Sequence, residues 1–457
     1  MGSINFAGTK PLGFGLNFAR GGGAAETPLP TTNLLLHVDS RDADNFTLSS
    51  DLVDQWDDLV GSNHLTGTTT TRPERVADLS ASGGPKGQVR FTSDALTIPS
   101  GISFDSRGNT VFVVSRLGAD AITPTGSTTR GTFFHAPDSG TDFALYLWDS
   151  GQIRMFDVAA RSTTLYAQSG VQTYWLSGGA SSGLAGVGNA VWSLGSAFTS
   201  KTPSGGRIGS WSAGSFPLAG NIQCLAVYDG QLSESDRNAV LDVLAEHYGA
   251  PKSTNTKLFI FDGDSITEGI QADNPQLDPH ADDFSYPSQL QILRASDAPA
   301  VANHGKGSQL IQNHTAATAP VRTLGAYSSH YATRVVFGLW GHNDIQGGRT
   351  SAQIKADLDT WIASIRAADS GAIIGHGTIL ESTGFDSGEE TIRGEVNDYI
   401  DGTTGSIDLD FYIDTAAISD LTDASDTEFF VDGVHPTTAG YAALAAGVNS
   451  GLVSAGY

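Results

Sequence analysis

Hydrophobic positions in the first half of the chain come in short blocks. Leu34 to Val38, Val111 to Val114, Phe143 to Trp148, Gln172 to Leu176 and Ile222 to Tyr228 are apolar or alternating runs, separated by clusters of Gly, Ser, Asp and Pro. That spacing, with no helix-period stretch between, predicts an all-β sandwich over about Asn33 to Gly230. A helix then closes the region: Ser233 or Ser235 can cap it, Val240, Leu241, Val243 and Leu244 form its apolar face, and Gly249 stops it.

Beyond the polar stretch Ala250 to Thr256, which reads as a linker, the pattern changes to strands alternating with helices. Strands are predicted at 257–262, 300–303, 333–340, 371–379 and 409–415, and helices at 285–296, 351–368 and 437–449. The clearest helix carries Ile354, Leu358, Trp361, Ile362 and Ile365 on one face, with Thr350 and Gln353 placed for a capping box. Alternation of this kind implies a parallel sheet covered on both faces. The chain therefore divides into a Gly-rich leader at 1–30, a β-sandwich at 31–250 and an α/β domain at 251–457.

The chemistry lies in the α/β domain. Leu258 to Phe261 run into Asp262-Gly263-Asp264-Ser265, a buried strand breaking into a tight turn. Open α/β sheets place their ligand crevices at such strand ends, so Ser265 stands where a nucleophile would. A serine hydroxyl needs a base, and the base needs a carboxylate to fix its tautomer. Asp432 and His435, three apart in Asp432-Gly433-Val434-His435, suit both tasks. Asn343, in Gly341-His342-Asn343-Asp344 after the apolar run ending at Trp340, supplies an amide donor for a developing oxyanion.

These residues resemble the SGNH (GDSL-type) esterases and lipases, whose blocks GDS, GxND and DxxH stand here in the same order as GDS, GHND and DGVH over roughly Lys257 to Tyr457. The resemblance implies a three-layer α/β hydrolase fold with Ser265 as nucleophile, His435 as base and Asp432 as its orienting partner. The oxyanion donors it implies are the Ser265 amide, Asn343 and a glycine. That glycine usually follows an asparagine by about five residues, whereas Asn303 is followed by glycines at two and four; Gly307 is preferred and Gly305 is the alternative. Asp264, His304 and His342 would line the pocket. The G-x-S-x-G elbow of α/β-hydrolases is excluded by Thr267. The first half resembles the concanavalin-like (laminin-G-like) jelly-roll sandwiches, through Leu35-Leu36-His37-Val38-Asp39, Gln55-Trp56-Asp57-Asp58 and Ala226-Val227-Tyr228-Asp229.

Composition narrows the partners. A formal net charge of −24 over 457 residues, most of the excess acid falling beyond Ala250, argues against nucleic acid and anionic membranes. No run approaches a membrane span, and no conventional export signal is visible. The lone Cys224 lies in an apolar run and reads as core. No cofactor is called for. Neither the histidines nor the acids between Asp408 and Asp432 have metal-ligand spacing, so no metal is expected and the acids read as a solvated face. Residues 1–30 read either as a disordered leader or as a segment ordered by docking on an assembly: a homo-oligomer, a virion or a cell-surface particle.

The resulting expectation is an extracellular, cell-surface or virion-borne esterase removing O-acetyl or other short acyl groups from a carbohydrate or polysaccharide, the sandwich binding glycan or serving assembly. Trp148, Trp175, Trp192 and Trp211 are the residues that could stack on sugar rings. Lipase or thioesterase activity on an acylated small molecule is the alternative within the same chemistry. A glycan-binding spike or adhesin, with or without esterase activity, is the alternative outside it.

Overall fold

The structure, a computed structural model, describes residues 27–457 apart from short stretches, the longest being 77–86, 118–130, 138–141, 196–201, 212–215, 271–284 and 314–318. The leader expected at 1–30 lies outside the described residues except at its end, where Leu29 is buried against the helix Glu234–Tyr248.

Among the described residues seventeen antiparallel strands form the first half. In its most buried layer Leu34–Asp39 pairs with Gly220–Asp229, which pairs with Asn109–Leu117, which pairs with Gly170–Ser177. Alternate residues point to opposite faces. Val111, Val113, Tyr174, Leu176, Leu225 and Val227 join the interior between the layers. Phe112, Val114, Trp175, Cys224, Ala226 and Tyr228 pack instead against Val240, Leu241 and Leu244 of the helix. With both faces covered, these strands read as continuous apolar runs. Ser233 caps the helix by accepting from the Asp236 amide, and Gly249 ends it at φ 77°. Trp175 is fully buried with its Nε1 donating to Gly188 O at 2.9 Å, so it belongs to the core; Trp148, Trp192 and Trp211 remain half-buried.

The second half is a five-stranded parallel sheet: β1 (Lys257–Gly263), β2 (Ala300–Asn303), β3 (Thr333–Leu339), β4 (Ile373–Gly377) and β5 (Phe411–Ile413), in the order β2-β1-β3-β4-β5. Its helices are α1 (Ser265–Glu268), α2 (Tyr286–Leu293), α3 (Ala319–Tyr327), α4 (His342–Gln346), α5 (Ser351–Ala368), α6 (Ser387–Ile400) and α7 (Thr438–Ser454). On one face Phe259, Phe261, Val335 and Phe337 meet Tyr286 and Leu290 of α2 and Tyr441, Leu444 and Val448 of α7. On the other Leu258, Ile260 and Val336 meet Leu324 of α3 and Ile354, Leu358, Trp361 and Ile365 of α5. The Thr350/Gln353 capping box starts α5.

Besides the short α1 and α4, two longer helices among the described residues have no counterpart in the apolar pattern. α6 buries only Val396 and Ile400 and contains Gly388 and Gly394, so its start is marked by the Asp386/Glu389 capping box alone. α3 begins at Ala319-Pro320 and carries Gly325, which leaves too short an apolar stripe to register. Strand 409–415 is shorter than its pattern, because Thr415–Ala417 turns into a 3-10 helix.

The two halves touch through specific polar contacts. Gln291 of α2 accepts from the Val171 amide (2.9 Å) and donates to the Val171 carbonyl (3.0 Å). Gly170, at φ 69°, permits this approach, since a Cβ there would stand 2.4 Å from Gln291 Oε1. Tyr327 of α3 donates to the Tyr166 carbonyl, and Asn189 donates to the Asn255 carbonyl at 2.5 Å. The Asn255 side chain also brackets Lys257, accepting from its N–H (3.0 Å) and donating to its carbonyl (2.9 Å), so polar residues of the 250–256 stretch fix the entry into β1.

Candidate active site

Three neighbouring strands, β2, β1 and β3, deliver their carboxyl-terminal loops to one edge of the sheet. Ser265 follows β1 directly as the first residue of α1. The turn needs Gly263, where a Cβ would meet Thr267 Oγ1 at 2.0 Å and Leu339 O at 2.7 Å. Asp264 caps α1 by accepting from the Ile266 amide at 3.0 Å, which leaves the Ser265 amide without a partner among the described residues. Burial pushes the Asp264 carboxyl up to about 7, and nearby Asp344 adds to the rise.

His435 comes from the loop before α7. Its Nε2 lies 2.9 Å from Ser265 Oγ and its Nδ1 lies 2.8 Å from Asp432 Oδ2. The other oxygen of Asp432 accepts from the backbone amides of His435 (2.8 Å) and Val434 (3.0 Å). Burial works to raise the Asp432 carboxyl, but the His435 amide, the His435 ring and the Val434 amide together hold it below the usual carboxylate range. The loop closes through Gly433 at φ 79°, whose carbonyl accepts from the Thr383 amide at 3.1 Å. A Cβ on Gly433 would stand 1.9 Å from Thr383 Oγ1.

Asn343 enters from α4 after β3. It is half-buried, and its Nδ2 donates to Gln309 O at 3.2 Å. His342 is buried against Phe385, with ring centroids 4.7 Å apart. Burial, and then the proximity of His435, lowers its pKa to about 4, so it is neutral at ordinary pH. Asp264, Ile266, Leu339, Trp340, His342, Ile379 and Leu380 line a void of about 10 Å³.

The loop after β2 holds the remaining residues. His304 is buried, with its Nε2 2.9 Å from Thr323 Oγ1. Gly305 donates its N–H to Asn303 Oδ1 at 2.8 Å and packs against the backbone of Thr267 and Glu268. Gly307 stands beside the nucleophile's position, since a Cβ on it would come 3.8 Å from Ser265 Cβ. Its N–H donates to Glu268 Oε2 at 2.5 Å. In the sequence Ser308 counts only as the small polar residue that follows Gly307, and Glu268 is not marked at all. Spacing from Asn303, five residues on, was the available signal for Ser308; an acid after Ser-Ile-Thr gave none for Glu268. Among the described residues no group of three or more His, Cys, Asp or Glu could hold a metal ion.

A hydroxyl, an imidazole and a carboxylate hydrogen-bonded in series at the edge of a parallel sheet is the arrangement of a serine ester hydrolase. Residues 261–443 match the GDSL-like lipase/acylhydrolase family. No curated protein matches the chain. Among solved structures, a member of the lipolytic protein G-D-S-L family from Veillonella parvula is 20% identical, with 42% of this chain and 97% of that one covered at a TM-score of 0.32. A protein from Bacillus subtilis is 14% identical over 84% of this chain and 88% of that one, at a TM-score of 0.36. A Trypanosoma rangeli sialidase in complex with sialic acid is 13% identical over 47% of this chain, at a TM-score of 0.35; the match spans 33% of the sialidase.

Proposed function

We propose that the protein is a serine esterase that removes O-acetyl or other short acyl groups from a carbohydrate, with the β-sandwich engaging the polymer. The observation that carries the reading is the Ser265–His435–Asp432 series, with contacts of 2.9 and 2.8 Å. His435 Nε2 takes the Ser265 proton as Oγ attacks the ester carbonyl. The amide of Ser265 and Nδ2 of Asn343 then face the developing oxyanion, and Asn343 retains a second N–H beside the one given to Gln309. Collapse expels the sugar hydroxyl with the proton held by His435. Water repeats the sequence on the acyl-enzyme and releases the acid.

Carbohydrate is supported by an aromatic group on the sandwich. Arg154 lies over the Trp148 ring at 4.2 Å, Tyr146 meets Trp148 and Trp211 edge to face, and both tryptophans are half-buried. A net charge of −24 favours a neutral glycan over a polyuronate.

The test is acetate release from an O-acetylated neutral polysaccharide, run beside p-nitrophenyl esters of increasing chain length. The reading expects acetate release from the polymer and a fall in kcat/KM beyond the shortest acyl chains. A preference for long-chain esters with no release from polymer would instead make the protein a lipase or thioesterase.

A further inference from the structure

We propose that the third oxyanion donor is the backbone N–H of Ser308 and that Glu268 is the positioning residue that holds the loop so that this N–H, and not that of Gly307, faces the reacting carbonyl. The assignment rests on the reading of Ser265 as nucleophile.

It follows from where each amide of the loop goes. His304 donates to Phe261 O (2.7 Å), Gly305 to Asn303 Oδ1 (2.8 Å), Lys306 to Gly263 O (3.0 Å), Gly307 to Glu268 Oε2 (2.5 Å) and Gln309 to Lys306 O (3.3 Å). The Ser308 amide alone in this run donates to nothing among the described residues, and Ser308 is exposed. Ser308 also has a φ of 60°, the left-handed region that a serine occupies only at a cost when its surroundings enforce it.

Glu268 does the enforcing. It is a buried acid at the end of α1, three residues after Ser265, and takes no part in the Ser265–His435–Asp432 series. Its carboxylate receives the Gly307 amide in a charge-assisted hydrogen bond. Glycine at 307 leaves room for this approach, since a Cβ would stand 2.9 Å from Glu268 Oε2 and 3.1 Å from Ile270 Cδ1. With the Gly307 amide committed to Glu268, the next peptide turns and leaves its N–H unspent.

The test is a crystal structure of the full chain treated with diethyl p-nitrophenyl phosphate, with kinetics of two variants beside it. Ser265 Oγ forms the bond to phosphorus, p-nitrophenolate leaves and the hydroxyl proton passes to His435, so the phosphoryl oxygen marks the oxyanion position. The proposal expects that oxygen about 2.7–3.1 Å from Ser308 N, the range for an oxyanion donor, with Gly307 N still on Glu268. A phosphoryl oxygen on Gly307 N, with Glu268 displaced, overturns it. On p-nitrophenyl acetate, Glu268→Ala should lower kcat by about tenfold or more with KM nearly unchanged. Glu268→Gln should restore most of the loss, because its carbonyl oxygen still accepts from Gly307. A Glu268→Ala enzyme as fast as wild type or faster would mean that the carboxylate only obstructs the site, and also overturns the assignment. Absence of any adduct on Ser265 would remove the nucleophile reading and this one with it, a result distinct from either of the others.

Discussion

Asn343 Nδ2 donates to Gln309 O at 3.2 Å, tying the loop after β3 to the loop after β2 across the end of β1. On the proposed mechanism the same carboxamide orders the oxyanion side of the site and keeps one N–H for the reaction. Asn343→Ala should cost about 10²–10³ in kcat on p-nitrophenyl acetate with KM nearly unchanged, the magnitude of a lost transition-state contact. An effect confined to KM would move Asn343 to substrate binding.

Gly433 and Thr383 set the position of His435. At φ 79°, and with Thr383 Oγ1 where a Cβ would go, Gly433→Ala must shift the loop carrying Asp432 and His435. The variant should lose about tenfold or more in kcat, since small displacements of reacting groups are costly. Unchanged kcat would show that the loop tolerates movement.

Asp264 makes stability depend on pH. Its carboxyl is raised by burial from the ordinary 3.8 to about 7 in the folded chain. Below about pH 4 it is protonated whether the chain is folded or not. Between about 4 and 7 the unfolded chain ionises first, so stability falls as pH rises through this window. Asp264→Asn keeps an acceptor for the Ile266 amide and removes the titration. Its Tm relative to wild type should therefore be higher at pH 8 than at pH 5. The same difference at both pH values would contradict the assignment.

Much of the α/β domain was legible because its strands are apolar on both faces and each chemical residue follows one of them or a short turn. Cys224 is buried, as its apolar run indicated. What the chain did not disclose depends on contacts between segments far apart. Gln291 and Val171 are separated by 120 positions, and nothing in either neighbourhood marks the pairing. Glu268 and Gly307 are 39 apart, and only folding reveals which amide the carboxylate consumes. Helix α6 was missed because its exposed surface is wide and its buried stripe holds two residues.

If the sandwich engages the polymer as proposed, changes at Trp148 and Trp211 should separate polymer binding from chemistry. Trp148→Ala with Trp211→Ala should leave kcat/KM on p-nitrophenyl acetate within about twofold, because neither residue belongs to the machinery around Ser265. Release of acetate from polysaccharide should fall more, since a bound polymer raises the local concentration of ester. Equal losses on both substrates, or none on polymer, would remove these residues from glycan binding.

The central claim is that Ser265 and His435 act as one chemical unit, and the direct measurement is kcat on p-nitrophenyl acetate for Ser265→Ala, His435→Ala and the double variant. Each single variant should lose several orders of magnitude, and the double variant should be little worse than either, because removing one member forfeits what the other contributes. A Ser265→Ala enzyme retaining activity within about tenfold of wild type would contradict the account, whatever the 2.9 Å contact between the two side chains.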